Sequence, residues 1–242
     1  MTELIIDAGN THIKLAWFEG NQLVHKHILP TLEVHSLGGV VEQLPLPAAC
    51  LISSVSVPAD DIKVQLPSQL PCVLLSPDLK LNFINAYQSP DTLGSDRLAS
   101  MAAAAALQRN KAVMVIDAGS CITYDVLGAD KVYRGGAISP GLRMRYEALA
   151  HFTSRLPLLS PASFPVPFTG GNTSESIHAG ILHSILFEIR GWIAHKEREI
   201  GELEVILTGG DAGYFGHQLK NTNFVHPDFV LQGLHEILLL SL

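Results

Sequence analysis

Short apolar runs separated by turn residues open the chain. Leu4–Asp7 is apolar and β-prone, Ala8-Gly9-Asn10 is a turn, and Thr11–Phe18 returns as a strand. A second turn, Glu19-Gly20-Asn21-Gln22, leads into a third strand at Leu23–Ile28, and Cys50–Val55 and Val73–Leu75 are further strands. Pro58-Ala59-Asp60-Asp61 reads as a helix start, with proline in the first turn and acids at the positive end of the helix dipole. Leu79–Leu93 is polar, aromatic and irregular. Gly94-Ser95-Asp96-Arg97 then opens an alanine-rich helix predicted to reach about Asn110. Its small side chains should let another element pack closely.

The pattern then restarts. Ala112–Ile116 is a strand, Asp117–Ser120 a turn, Ile122–Leu127 a strand, and Gly128-Ala129-Asp130 turns into Lys131–Ile138. Pro140–Phe152 is helical, and Leu156–Thr169, with four prolines, is a loop. The longest helix is predicted over about Thr173–Arg198. Asn172 is its N-cap and Glu175, three residues on, completes a capping box, while Ile177, Ile181, Ile185, Ile189 and Trp192 share one face. Leu203–Thr208 is a strand, Gly209-Gly210 a turn, and Asp211–Leu219 and Phe229–Leu240 are helices. The chain therefore reads as two βββ-αβα-like halves, residues 1–111 and 112–242, an internal repeat of domain size. Asp7 and Asp117 occupy matching places, 117 − 7 = 110 positions apart.

Composition narrows the class. With 242 residues, 47% apolar and 16% charged, the chain is long enough for one large domain or two small ones with real cores and is not disordered. The net charge of −7 and the lack of a Lys/Arg run argue against nucleic acid or an anionic membrane as partner. Three cysteines without metal-like spacing fit a reducing compartment. With no apolar run long enough to span a bilayer and no basic-then-apolar leader, a cytoplasmic protein is expected.

The repeated turn carries chemistry. Glycine after a strand-end carboxylate lets the backbone approach a phosphate, and Asn10 and Thr11 offer short polar groups and amides. Asp7 would repel a bare triphosphate, so it must act through a cation, for which Mg²⁺ is suited. Lys14 can neutralise phosphate charge. Two such turns facing each other would grip a nucleotide, and Gly209-Gly210 would suit a base or ribose lying against backbone. One Asp-x-Gly-Asn turn alone is an ordinary hairpin; two at domain spacing favour phosphate binding. Ser95 or Asp96 could equally be a helix cap. His12, His25, His27 and His35 show no metal-ligand pattern.

Together these motifs resemble the type III pantothenate kinases, of the acetate kinase/sugar kinase/Hsp70/actin superfamily. The likeness runs through Asp7-Ala8-Gly9-Asn10-Thr11 with Lys14, Tyr87, Leu93–Arg97, Asp117-Ala118-Gly119 with Thr123, and Gly135–Gly141. It continues in Thr153–Pro157, Asn172-Thr173 and Thr208–Asp211. The resemblance implies an α/β fold of two duplicated ribonuclease H-like, actin/Hsp70-type ATPase domains around a central cleft. The first half would hold one phosphate turn and the general base, the second the other turn and the adenosine site.

It implies ATP-dependent phosphorylation of pantothenate to 4′-phosphopantothenate, the first step toward coenzyme A, by a cytoplasmic homodimer whose partner subunit completes the pantothenate pocket. Asp96 matches the general base. Asp7, Ala8, Gly9, Asn10, Thr11, His12, Ile13, Lys14 and Ser120 match the ATP site, with Asp7 on Mg²⁺ through phosphate. Tyr87, Gly94, Ser95, Asp96, Arg97 and Thr173 match pantothenate contacts, and Asp117 matches the ligand of a monovalent cation, K⁺ or NH₄⁺. The second turn reads Gly119-Ser120-Cys121 where the family usually has Gly-Thr-Ala; Ser120 keeps the hydroxyl. The rival readings are a kinase for another small hydroxyl or acid substrate, and a non-catalytic nucleotide- or pantothenate-binding regulator.

Overall fold

β1 (Thr2–Ala8) and β7 (Ala112–Ala118) are corresponding seven-residue strands that both end in Ile-Asp-Ala, offset by 110 at both ends (112 − 2 and 118 − 8). The computed structural model describes residues 2–219 and 224–242. Contacts divide the chain into two units, Met1–Leu107 with Phe229–Leu242, and Gln108–Asp228.

In the first unit β1, β2 (His12–Glu19) and β3 (Gln22–Pro30) form an antiparallel meander. β4 (Ala49–Ser54) joins the free edge of β1 in parallel and β5 (Cys72–Leu74) follows it, giving the order β3-β2-β1-β4-β5. A two-residue strand, β6 (Ile84–Asn85), comes later in the chain. Leu4, Ile5 and Ile6 of β1 are all buried, which a strand allows only when both faces of its sheet are covered. Leu4 and Ile6 join Ile13, Leu15, Trp17, Ile52 and Ile62 in one core. That core reaches the short helix α2 (Ala59–Lys63), which carries Ile62, and α1 (Leu37–Val41), which carries Leu37 and Val41.

The second unit repeats the plan. β7, β8 (Cys121–Leu127) and β9 (Val132–Pro140) form the meander, and β10 (Leu203–Thr208) and β11 (Phe224–Val225) add in parallel, in the order β11-β10-β7-β8-β9. Both sheets therefore run third, second, first, fourth, fifth strand, and the α/β architecture is a duplication of the ribonuclease H-like type.

α4 (Leu142–Phe152) and α5 (Thr173–Ile200) pack on each other, and α6 (Ala212–Gly216) follows β10. The stripe Ile177, Ile181, Ile185 and Ile189 of α5 is buried in the core with Met114, Ile116 and Tyr124. Each such side chain contributes about 1.5–3 kcal/mol. Trp192 continues the stripe, its ring stacked 5.4 Å from that of Tyr124. The apolar face of α5 is therefore core.

The capping box forms in a shifted version. Glu175 N–H donates to Asn172 Oδ1 at 3.0 Å, while the Glu175 carboxylate accepts from Gly171 N–H at 2.7 Å and from the Asn172 side-chain amide at 2.9 Å.

Two elements depart from the sequence reading, and a third forms in a stretch that the reading leaves unassigned. Helix α3 (Ser95–Leu107) stops before Asn110, which takes a left-handed φ of 62°. Asparagine tolerates that conformation and ends helices for the same reason. The stretch predicted as helix from Asp211 to Leu219 is helical only over Ala212–Gly216, where Gly213 and Gly216 lower its propensity. Thr31–Val41, which has no clear periodicity, forms a 3₁₀ turn followed by α1. The last helix, α7 (Phe229–Leu239), belongs to the first unit, packing on α3, β1 and β4. A division at residue 112 leaves it with the second half.

Candidate active site

In the first unit the turn after β1, the candidate phosphate turn, is a tight hairpin: Gly9 N–H donates to His12 C=O at 3.0 Å. Two hydroxyls tie it down, with Ser56 Oγ donating to Gly9 C=O at 2.6 Å and Thr31 Oγ1 at 2.9 Å. Ala8 is buried and its carbonyl accepts from Val55 N–H. Ile13 is fully buried in the core, so only its backbone is available to a ligand. Asn10, Thr11 and His12 are exposed.

Asp7 lies opposite Lys14 across the hairpin and beside Ser53 on β4, whose Oγ donates to Asp7 Oδ1 at 3.4 Å. Burial pushes the Asp7 carboxyl above the usual carboxylate range. Lys14 and the Ser53 bond oppose that rise, and the Asp96 carboxylate adds to it. The Asp96 charge therefore reaches the Asp7 carboxyl within the same unit.

Asp96 is exposed in the first turn of α3, where the helix dipole favours a carboxylate. Its Oδ1 accepts the backbone N–H of Arg97 at 2.8 Å. The carboxylate folds back over Gly94, where a Cβ would come within 2.5 Å of Oδ1. Sequence adjacency alone suggests that the Arg97 side chain orients Asp96. In the structure the Arg97 backbone N–H makes the bond. The buried guanidinium sits 5.3 Å from the ring centroid of Tyr87, a cation–π contact. Tyr87, Gly94, Asp96 and Arg97 are therefore one linked group, and Ser95 lies between them in the same turn.

The second unit has the corresponding turn one residue shorter, with Gly119 N–H donating to Cys121 C=O at 2.9 Å and Ser120 exposed. Asp117 is aligned with Thr208 on β10, as Asp7 is with Ser53 on β4. Paired residues on neighbouring strands point to the same face. Thr208 Oγ1 is buried and has no hydrogen-bond partner among the described residues, so an oxygen donor stands idle beside the Asp117 carboxylate. Gly209 closes the cradle: its φ is +95°, and a Cβ there would lie 2.3 Å from Asp117 Oδ1 and 2.5 Å from Ala118 C=O. Asp211 follows, its carboxyl raised by burial and lowered in part by Arg143.

Thr173 is the first residue of α5 and is exposed. It lines a cavity of about 860 Å³ within the second unit, together with Ser176 and Ile181 of α5 and Leu149 and Phe152 of α4. That volume is in the range of small-molecule pockets.

Among the described residues no group of three or more His, Cys, Asp or Glu side chains could hold a metal ion, so a cation here must draw on phosphate, water or hydroxyl oxygens. Asp7 fits a divalent cation carried on phosphate, because burial and Asp96 both work against its charge and a cation would offset both. Asp117 with the unpartnered Thr208 hydroxyl supplies hard oxygen donors of the kind a monovalent cation takes. The sequence reading missed Ser53, Ser56 and Thr31 and used Thr208 only as part of a motif. The available signal was a hydroxyl near the end of the fourth strand of each repeat.

Comparison with known proteins gives a concordant result. The family described as type III pantothenate kinase matches residues 3–195. A type III pantothenate kinase of Christiangramia forsetii is 39% identical over 236 residues, covering 97% of each chain. Among solved structures, a Campylobacter jejuni protein proposed as a Baf family transcriptional activator superposes with a TM-score of 0.62 at 21% identity, over 98% of both chains. A Listeria monocytogenes protein proposed as an N-acetylmannosamine kinase gives 0.55 at 9% identity, over 100% of both. The two structural likenesses speak to fold alone.

Proposed function

Because this chain belongs to the type III pantothenate kinase family, we propose that it transfers the γ-phosphoryl group of ATP to the hydroxyl of pantothenate, with Asp96 as general base. The observation that carries the assignment of Asp96 is its exposed carboxylate held by the Arg97 N–H at the start of α3, in the same unit as Asp7, whose carboxyl its charge helps to raise. The base is thereby coupled to the turn that would hold the phosphates. Lys14 and the amides of Asn10 and Thr11, in the exposed part of the turn, bind phosphate oxygens. Asp96 accepts the hydroxyl proton as that oxygen attacks phosphorus in line. The Arg97 N–H holds the carboxylate oriented, and Tyr87, Gly94, Ser95 and Arg97 of the first unit position pantothenate; Thr173 is the second unit's own candidate for a pantothenate contact.

A divalent cation bound through phosphate at Asp7 would neutralise charge on the transferred group. Asp117, with Thr208, would hold K⁺ or NH₄⁺, and Ser120 would bond the nucleotide. A homodimer is supported by exposed aromatic side chains on and near α4 and α5, where Phe152 is 81% and Phe168 71% exposed. A cytoplasmic site of action accords with the lack, among the described residues, of any helix long and apolar enough to cross a membrane.

ADP release measured against pantothenate, glucose and acetate should depend on pantothenate, and a preference for either of the other two would overturn the assignment. In the same assay, exchanging K⁺ for Na⁺ should depress the rate of the parent protein. Asp117→Ala should erase the difference between the two salts. A parent indifferent to the exchange would remove the cation role from Asp117.

A further inference from the structure

Two of the three cysteines stand outside the site described above and face each other. Cys50 on β4 and Cys72 on β5 are register partners on neighbouring parallel strands. Such strands run about 4.8 Å apart, and partner side chains emerge on the same face. A disulfide requires a Cα separation of roughly 4.4–6.8 Å, so the backbone already satisfies it. Both residues are free thiols, Cys50 fully buried and Cys72 half-buried. β5 is the edge strand of its sheet, which leaves it room to adjust.

We propose that Cys50 and Cys72 form a redox-active dithiol, a modification site that hydroperoxides convert to a reversible intramolecular disulfide. The division of labour follows from exposure. The half-buried Cys72 meets the oxidant, and the buried Cys50 resolves the product. The Cys72 sulfur attacks one peroxide oxygen and the O–O bond breaks. Cys72 becomes a sulfenic acid, and the departing oxygen takes up a proton and leaves as water or an alcohol. The Cys50 sulfur then attacks the Cys72 sulfur, the S–S bond forms, and the sulfenic oxygen leaves as water carrying the Cys50 proton. Two thiols are oxidised and one peroxide is reduced.

The surroundings favour Cys72 as the attacking thiol. A hydrogen bond from Cys50, opposed by burial and aided by the charge of Lys63, lowers Cys72 to about 7, while the same bond and burial push Cys50 up. A thiol near neutral is the better nucleophile at cellular pH.

The test uses the whole chain. Treat the native protein with hydrogen peroxide, alkylate the remaining thiols after denaturation, and map the peptides. Two of the three thiols should be lost, a Cys50–Cys72 cross-linked peptide should appear, and dithiothreitol should restore all three. Cys72→Ser is conservative at a half-buried position. It should leave Cys50 alkylatable after the same treatment, with kinase activity unchanged. Cys50→Ser should leave a dimedone-reactive sulfenic acid at Cys72. A parent protein that keeps both thiols under peroxide, or whose cross-link involves Cys121, overturns the proposal without touching the kinase assignment. Because that result comes from the unmutated chain, it stands even if a variant misfolds.

Discussion

Asp96→Asn should abolish turnover while leaving pantothenate binding nearly intact. The substitution is isosteric. The Asn Oδ1 can still accept the Arg97 N–H that Asp96 takes at 2.8 Å, and it still fits in the space left by Gly94. What disappears is the capacity to accept a proton. General-base action contributes roughly 10²–10⁴-fold, so kcat should fall by about that factor. The Kd for pantothenate, measured by calorimetry, should change only a few-fold, because the Arg97–Tyr87 stack is untouched.

One secondary effect has a definite sign. Asp96 raises Asp7, so removing its charge should bring the Asp7 carboxyl down and leave the phosphate turn no less anionic. Weaker nucleotide binding through a neutralised Asp7 is therefore not expected. A variant that turns over like the parent would show that the proton goes elsewhere.

The duplicated framework was legible in the sequence because local rules and tertiary packing agree there. Short apolar runs of three to eight residues, glycine turns and the Asn172–Glu175 cap each specify one outcome, and the 110-residue offset recurs in the ends of the first strand of each repeat. What stayed illegible depends on distant partners. Ser53 and Thr208 sit in ordinary strands, and only the parallel pairing of β4 with β1 and of β10 with β7 sets them beside Asp7 and Asp117. The backbone origin of the Asp96 bond was hidden for a related reason, since Arg97 is adjacent whichever of its groups is used. The place of α7 could not be read either. A helix's amphipathic face says that it packs, not which sheet it packs on.

Gly233→Ala should destabilise the protein although alanine is the better helix former. α7 crosses α3 so closely that a Cβ on Gly233 would lie 1.7 Å from the Ala99 carbonyl oxygen and 2.4 Å from its carbon. Both are backbone atoms, so no rotamer change relieves the collision and the helices must part. The run Ala102–Ala105 and Ala99 on α3, all buried, is what allows the approach.

The helix-propensity gain of about 1 kcal/mol is set against an overpacking cost of about 1–3 kcal/mol, occasionally more. At contact this tight the cost should reach or exceed the upper end, leaving a net loss of about 2 kcal/mol or more. For a chain of this size that lowers Tm by about 4–8 °C. Gly191→Ala is the matched control. That glycine lies inside α5, exposed, with nothing within 4 Å of the added methyl, so the same substitution should raise stability by about 0.5–1 kcal/mol.

Thermal unfolding of the two variants side by side should therefore give shifts of opposite sign. Because Ala99 lies one turn beyond Asp96 on α3, Gly233→Ala should also lower kcat at temperatures where the protein is still folded. If both variants are stabilised, α3 and α7 do not cross as closely as described, and α7 does not constrain the segment of α3 that carries Asp96.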